Sequence, residues 1–137
     1  MTDRTSAREL RVGMVGAGVM ARAHSTALHA LVVLYPDLPL RPRLVAVADV
    51  NASLARELAD RFGYERVADD WRTLVEASDV DLVVACLPPT LNRDPVLAAA
   101  AAGKHVISEK PLAASAEAAA QLLAAVREAG VFHGLGA

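Results

Sequence analysis

The run Gly16-Ala17-Gly18-Val19-Met20-Ala21 has the residue types and spacing of a turn that holds a diphosphate. Gly16 permits a tight strand-to-helix turn, Gly18 lets the backbone approach a pyrophosphate, and the small Ala21 lets the helix pack close to the strand. A helix that opens here also aims its unpaired N–H groups and its positive end at the anion. The match gains weight from its place between a strand and a helix; alone, it is also what a merely tight turn would show. A second test is a carboxylate ending the next strand, and Asp49 closes Val45-Ala46-Val47-Ala48-Asp49. Such a carboxylate accepts hydrogen bonds from the adenosine ribose hydroxyls and repels a 2′-phosphate, which favours NAD and leaves NADP as the alternative. The competing role for Asp49 is to cap the following helix.

Two further stretches fall where a sheet would deliver them to the same edge. Leu87-Pro88-Pro89 ends an apolar strand, either as a cofactor-side loop or as a rigid strand-to-helix turn. Glu109-Lys110-Pro111 ends the next strand. An ammonium at Lys110 would hydrogen-bond a substrate hydroxyl or a ribose and favour an alkoxide developing as hydride leaves. The competing reading is an exposed surface lysine before a proline.

These residues need a scaffold of alternating strands and helices, and the sequence supplies one. Short β-branched runs at Leu10–Val15, Leu44–Ala48, Leu82–Leu87 and His105–Ser108 alternate with helical, alanine-rich stretches. That alternation predicts an α/β fold with a doubly wound parallel sheet covered on both faces, a Rossmann fold. Weaker strands near Arg66–Ala68 and Val131–Gly134 bring the sheet to about six. Helices are predicted over Val19–Leu34, Asn51–Phe62, Trp71–Ala77, Asp94–Ala102 and Ser115–Ala129, with Gly63, Gly103 and Gly130 at or near their ends. Ser115 offers a simple side-chain cap. Tyr35–Pro42 holds three prolines and is predicted as an extended surface connection, which accounts for the long separation of Gly18 from Asp49. In this strand order the ligand belongs outside the carboxyl ends of the strands, between the first and the fourth.

Gly16-Ala17-Gly18, His24, Val47-Ala48-Asp49, Asp79-Val80-Asp81, Ala102-Gly103-Lys104-His105-Val106 and Glu109-Lys110-Pro111-Leu112 together resemble the Gfo/Idh/MocA oxidoreductases. The resemblance runs over nearly the whole chain. It implies an NAD- or NADP-binding Rossmann domain followed by an α+β substrate domain, and hydride transfer with a sugar or polyol. It also implies that Lys110 contacts substrate and nicotinamide ribose, that the bond before Pro111 is often cis, and that Glu109 contacts the cofactor or orients Lys110. The cofactor-binding set is then Gly16, Ala17, Gly18, Val19, Met20, Asp49, Leu87, Pro88, Pro89, Glu109 and Lys110, with Lys110 catalytic. One departure is Leu87-Pro88-Pro89 followed by Asn92 where the family commonly has Thr-Pro-Asn and then a histidine. Asn92 hydrogen-bonds but takes no charge.

Relatives in that family continue into a domain carrying a catalytic histidine or aspartate, whereas these 137 residues read as one dinucleotide-binding domain. The expectation is a cofactor half that is inactive alone; the alternative is a stand-alone NAD(H)-binding or sensor module.

A net charge of −2 gives no general attraction to nucleic acid or to an anionic membrane. No stretch approaches the roughly 20 apolar residues of a membrane span. Cys86 is the single cysteine, sits in an apolar run, and fits a small packed hydrophobe in a reducing cytoplasm. No Cys/His spacing suggests a metal. His24 and His105 are read as packing or hydrogen-bonding residues, His133 as lying near the sheet without a matched partner, and Trp71 as packing a short helix onto the sheet.

Overall fold

In a computed structural model that describes residues 7–136, the apolar runs pair into one parallel sheet. The strands are β1 (Arg8–Val15), β2 (Leu40–Ala48), β3 (Arg66–Val67), β4 (Leu82–Ala85), β5 (His105–Ser108) and β6 (His133–Leu135). The helices are α1 (Val19–Leu34), α2 (Ala52–Phe62), α3 (Trp71–Glu76), α4 (Pro89–Ala101) and α5 (Ala116–Ala129). The spatial order β3-β2-β1-β4-β5-β6 sets β1 beside β4, so the chain reverses direction across the sheet at that pair. This is the doubly wound arrangement predicted.

Helices cover both faces because every central strand is apolar on both sides. One cluster joins Val83, Ala85 and Val106 to Leu74 of α3, Val96 of α4 and Leu122 of α5. The other joins Val12, Met14, Val47 and Val84 to Ala21 of α1 and to Ala55 and Leu58 of α2. Gly13 is fixed by this packing, since a Cβ there would meet Leu74 Cδ2 at 2.6 Å.

Several boundaries differ from those predicted; β1 begins at Arg8 rather than Leu10, and β6 spans His133–Leu135 rather than Val131–Gly134. β2 starts at Leu40, so the connection is shorter than Tyr35–Pro42 and Pro42 lies inside the strand, opposite Leu10 of β1. The short β3 pairs only with Ala46 and Val47, so this part of β2 behaves as a sheet edge, where a missing N–H costs no ladder bond. β4 stops at Ala85 rather than Leu87, and α4 starts at Pro89 rather than Asp94. Proline suits the first helical position because its N–H would be unpaired there anyway. Pro95 lies within α4 and removes the bond that the Leu91 carbonyl would accept.

The predicted ends hold. Gly63 and Gly130 close α2 and α5 in the left-handed conformation, and Ser115 Oγ accepts from the Ala118 amide at 3.1 Å.

Several family-like motifs prove to be staples of this scaffold. Asp81 takes the backbone amide and the guanidinium of Arg11, at 2.9 to 3.0 Å, fixing β4 to β1. Asp79 pairs with Arg66. Lys104 Nζ donates to the carbonyls of Ala77 and Val80, each at 2.7 Å, tying the start of β5 to the end of α3. His105 Nδ1 accepts from the Phe132 amide.

Candidate functional site

The carboxyl ends of β1, β2, β4 and β5 bring the candidate residues to one edge of the sheet. Between β1 and α1, Gly16 has a φ of +99° and a Cβ there would sit 2.4 Å from the Cys86 carbonyl oxygen. No other residue fits without moving backbone. Gly18 faces open space: an added Cβ would meet nothing within 4 Å. It precedes α1 and no side chain caps the helix, so the amides of Val19, Met20 and Ala21 lack intrahelical acceptors. Val19 and Met20 are exposed, whereas Ala21 is fully buried against the sheet.

Asp49 does not cap α2. That role belongs to Asn51, whose side-chain oxygen accepts from the amides of Ser53 and Leu54. Asp49 Oδ2 instead accepts from the Ala17 amide at 2.8 Å, and Oδ1 from the Asn51 amide at 2.7 Å. One carboxylate thereby ties the end of β2 to the glycine turn. Each oxygen keeps a further lone pair for an incoming hydroxyl.

Beside Asp49 lies a cleft of about 380 Å³. Leu87, Thr90 and Leu91 form one wall, Val50 and Ala52 another, and Asp69, Asp70, Trp71 and Arg72 the far end. The Arg72 guanidinium stacks 4.4 Å above the Trp71 ring. Trp71 therefore lines the cleft as well as packing on the core. Acidic groups dominate: Asp49, Asp69, Asp70 and Asp94 border the cleft against the single cation Arg72. The hydrogen bond from the Thr73 amide holds Asp70 below the usual carboxylate range.

Pro88 and Pro89 form the first turn of α4 and do not line this cleft. The far-end residues were missed in the sequence, although Asp69-Asp70-Trp71 directly follows a strand and so falls at the ligand edge.

Glu109 and Lys110 lie outside the cleft, beyond the ends of β4 and β5. Glu109 is nearly buried, its amide bonded to the Ala85 carbonyl and its carboxylate 2.5 Å from His24 Nε2 of α1. Lys110 is exposed, makes no hydrogen bond among the described residues, and is joined to Pro111 by a cis peptide. Asn92 is fully buried, and among the described residues neither polar atom of its amide has a partner.

Burial pushes the Cys86 thiol up to about 12, and its Sγ rests 3.7 Å from Met14 Sδ. His133, read from sequence as unpartnered, lies 3.1 Å from Ser108 Oγ, and burial lowers its pKa. Among the described residues no His, Cys, Asp or Glu cluster could hold a metal, and no helix is long and apolar enough to cross a membrane.

The open space at Gly18, the uncapped start of α1 and the carboxylate beside them fit an adenosine diphosphate group. Comparison with known proteins agrees. Residues 10–136 match the model of the Gfo/Idh/MocA oxidoreductase family, NAD-binding Rossmann fold. Levoglucosan dehydrogenase of Pseudarthrobacter phenanthrenivorans is 37% identical over 126 residues, 92% of this chain and 32% of its own length. Inositol 2-dehydrogenase of Acidothermus cellulolyticus is 39% identical over 109 residues, 80% of this chain and 30% of its own. An NAD binding oxidoreductase from Klebsiella pneumoniae superposes with a TM-score of 0.89 at 42% identity, covering 95% of this chain and 34% of that one. A levoglucosan dehydrogenase in complex with NADH and L-sorbose gives 0.89 at 37% identity, covering 93% and 34%. The chain spans about a third of the length of the relatives it matches. On this fold, this edge of the sheet and these matches, the chain belongs to the Gfo/Idh/MocA oxidoreductases, as their NAD-binding Rossmann domain.

Proposed function

We propose that the chain holds NAD for hydride transfer to or from a carbinol carbon of a sugar or polyol, in an oxidoreductase whose substrate is gripped mainly by residues outside this domain. The observation that carries the reading is the shared edge: Gly16–Met20, Asp49, Leu87 and Lys110 converge on the carboxyl ends of the strands beside the β1–β4 switch point. In this topology that is where a dinucleotide lies, adenosine toward β2 and the second nucleotide toward β4 and β5.

Each residue then has a physical task. The amides at the start of α1 bind the diphosphate, with Ala17 excepted because its N–H already serves Asp49. The free lone pairs of Asp49 take the ribose hydroxyls. Leu87, Thr90 and Leu91 wall the adenosine side and exclude water. Trp71 and Arg72 offer a flat, cationic face at the end of the cleft. When bound, the nicotinamide ring supplies the hydride acceptor or donor. Lys110 extends from the adjoining strand end, and its ammonium stabilises the negative charge that builds on a substrate hydroxyl oxygen.

The acidic border of the cleft makes the preference for NAD specific. A 2′-phosphate would meet Asp49 with three further carboxylates nearby, which only Arg72 offsets. Calorimetric titration of the chain with NAD and with NADP tests this. Saturable binding at least ten-fold tighter for NAD is the expected outcome, ten-fold being about 1.4 kcal/mol; equal affinity would refute the role of Asp49, and binding of neither would refute the site.

A further inference from the structure

We propose that His24 is a positioning residue for the nicotinamide half of the cofactor, acting through Glu109 on the segment that carries Lys110. The inference rests on the dinucleotide reading above.

His24 sits on α1, the helix whose first turn opens at the glycine turn, and its Nε2 lies 2.5 Å from Glu109 Oε1. Glu109 lies 85 residues away in sequence, at the end of β5. The contact therefore joins the two halves of the fold across the switch point. Both side chains are largely withdrawn from solvent, at 23% and 12% exposure, so water competes poorly for either partner. A charge-assisted hydrogen bond of this kind is among the stronger ones a protein makes.

Glu109 has little freedom to leave. Its amide is bonded to the Ala85 carbonyl of β4. Gly136 lies so close that a Cβ there would meet Glu109 Oε1 at 2.7 Å, and the Gly136 amide is itself bonded to the Ser108 carbonyl. The carboxylate is thus held between α1 and the chain leaving β6. The next residue is Lys110, which is exposed and without a hydrogen bond among the described residues. With Glu109 drawn toward α1, its carboxylate does not compete for the neighbouring ammonium, and Lys110 stays available to a ligand. Asp49, which serves the adenosine end, is bonded to Ala17 and Asn51 and shares no hydrogen bond with this pair. The two ends of the dinucleotide are therefore set by separate contacts.

That separation supplies the test. NADH and ADP share the adenosine and the diphosphate, but only NADH carries the second ribose and its nicotinamide. Affinities of both are measured by titration on the wild-type chain and on His24→Ala, His24→Phe and His24→Gln. His24→Phe keeps the ring volume and removes the nitrogens; His24→Gln keeps a donor near the position of Nε2. Both His24→Ala and His24→Phe are expected to weaken NADH on the order of ten-fold, the scale of one charge-assisted hydrogen bond, while changing ADP less than about two-fold. His24→Gln is expected to restore most of the NADH affinity. Equal losses for both ligands would show that His24 only supports the fold of α1, and unchanged NADH affinity would show that the contact does not reach the nicotinamide; either result overturns the proposal. Failure of the wild-type chain to bind either ligand would instead overturn the dinucleotide reading itself.

Discussion

Asp49 Oδ2 accepts from Ala17 and Oδ1 from Asn51, so removing its carboxylate frees two backbone segments as well as a ribose acceptor. Asp49→Ala is expected to lose about 2 kcal/mol of stability, the scale of two hydrogen bonds to a charged group with partial rescue by water. Its NAD affinity is expected to fall by on the order of ten-fold while the gap between NAD and NADP narrows. Thermal melts and parallel titrations measure the two effects separately; a lower melting temperature with unchanged selectivity would reduce Asp49 to a structural tie. Gly16 makes a sharper case. Its φ of +99° and the Cys86 carbonyl 2.4 Å from any added Cβ predict that Gly16→Ala costs more than about 2 kcal/mol, read from chemical unfolding. Both residues were legible in the sequence because turn chemistry and strand ends are local properties. The bond from Asp49 to the Ala17 amide was not, since it joins residues 32 apart through side-chain geometry. The same reason hid the His24–Glu109 contact and the partner of His133.

Periodicity places elements well when a segment's own residues decide its state, and less well where prolines have two meanings. The strand cores and the five helices were readable from alternation and capping glycines. The start of α4 was not, because Pro88-Pro89 reads equally as a strand stop and as the first turn of a helix, and Pro95 argues locally against the helix that packing imposes. Likewise Pro42 reads as a loop residue until the shortness of β3 leaves that part of β2 at an edge. Lys104 shows the converse case, a residue in a recognisable motif whose role is structural. Its ammonium bridges the carbonyls of Ala77 and Val80, locking the end of α3 to β5. Lys104→Met keeps much of the stem but removes both bonds, and is expected to cost about 2 kcal/mol in denaturant unfolding. NAD affinity at a temperature where the variant is folded should be unchanged, because the lysine lies at the opposite end of the sheet from the cleft.

At the scale of the whole sheet, the order of the strands delivers the candidate residues to one edge, and that order is the doubly wound arrangement that the alternation of elements predicts. What holds the sheet together from outside its core is a set of titrating groups, and these give the molecule a two-step response to acid. Burial lowers the pKa of His133 from its ordinary 6.5. The unfolded chain therefore takes up this proton at a higher pH than the folded one. The stability from keeping His133 neutral is complete above pH 6.5 and is lost as pH falls through the lower folded value. Asp70, Asp79 and Asp81 act in a lower window. Arg66 and Arg11 hold Asp79 and Asp81 below the ordinary 3.8, and the Thr73 amide does the same for Asp70. Their contribution is intact above 3.8 and disappears as pH drops through the depressed folded values. Unfolding free energy measured against pH should be level from 6.5 up to the approach of the ordinary thiol value of 9.0, decline gently below 6.5, and fall more steeply below 3.8. His133→Gln, which keeps a partner for Ser108 without a titrating ring, should remove the upper step alone. Asp81→Asn should lower stability at neutral pH and flatten the lower step, since the charge that Arg11 protects is gone at every pH. An upper step that survives His133→Gln would assign it to another group and leave the Ser108–His133 contact without a part in the acid response.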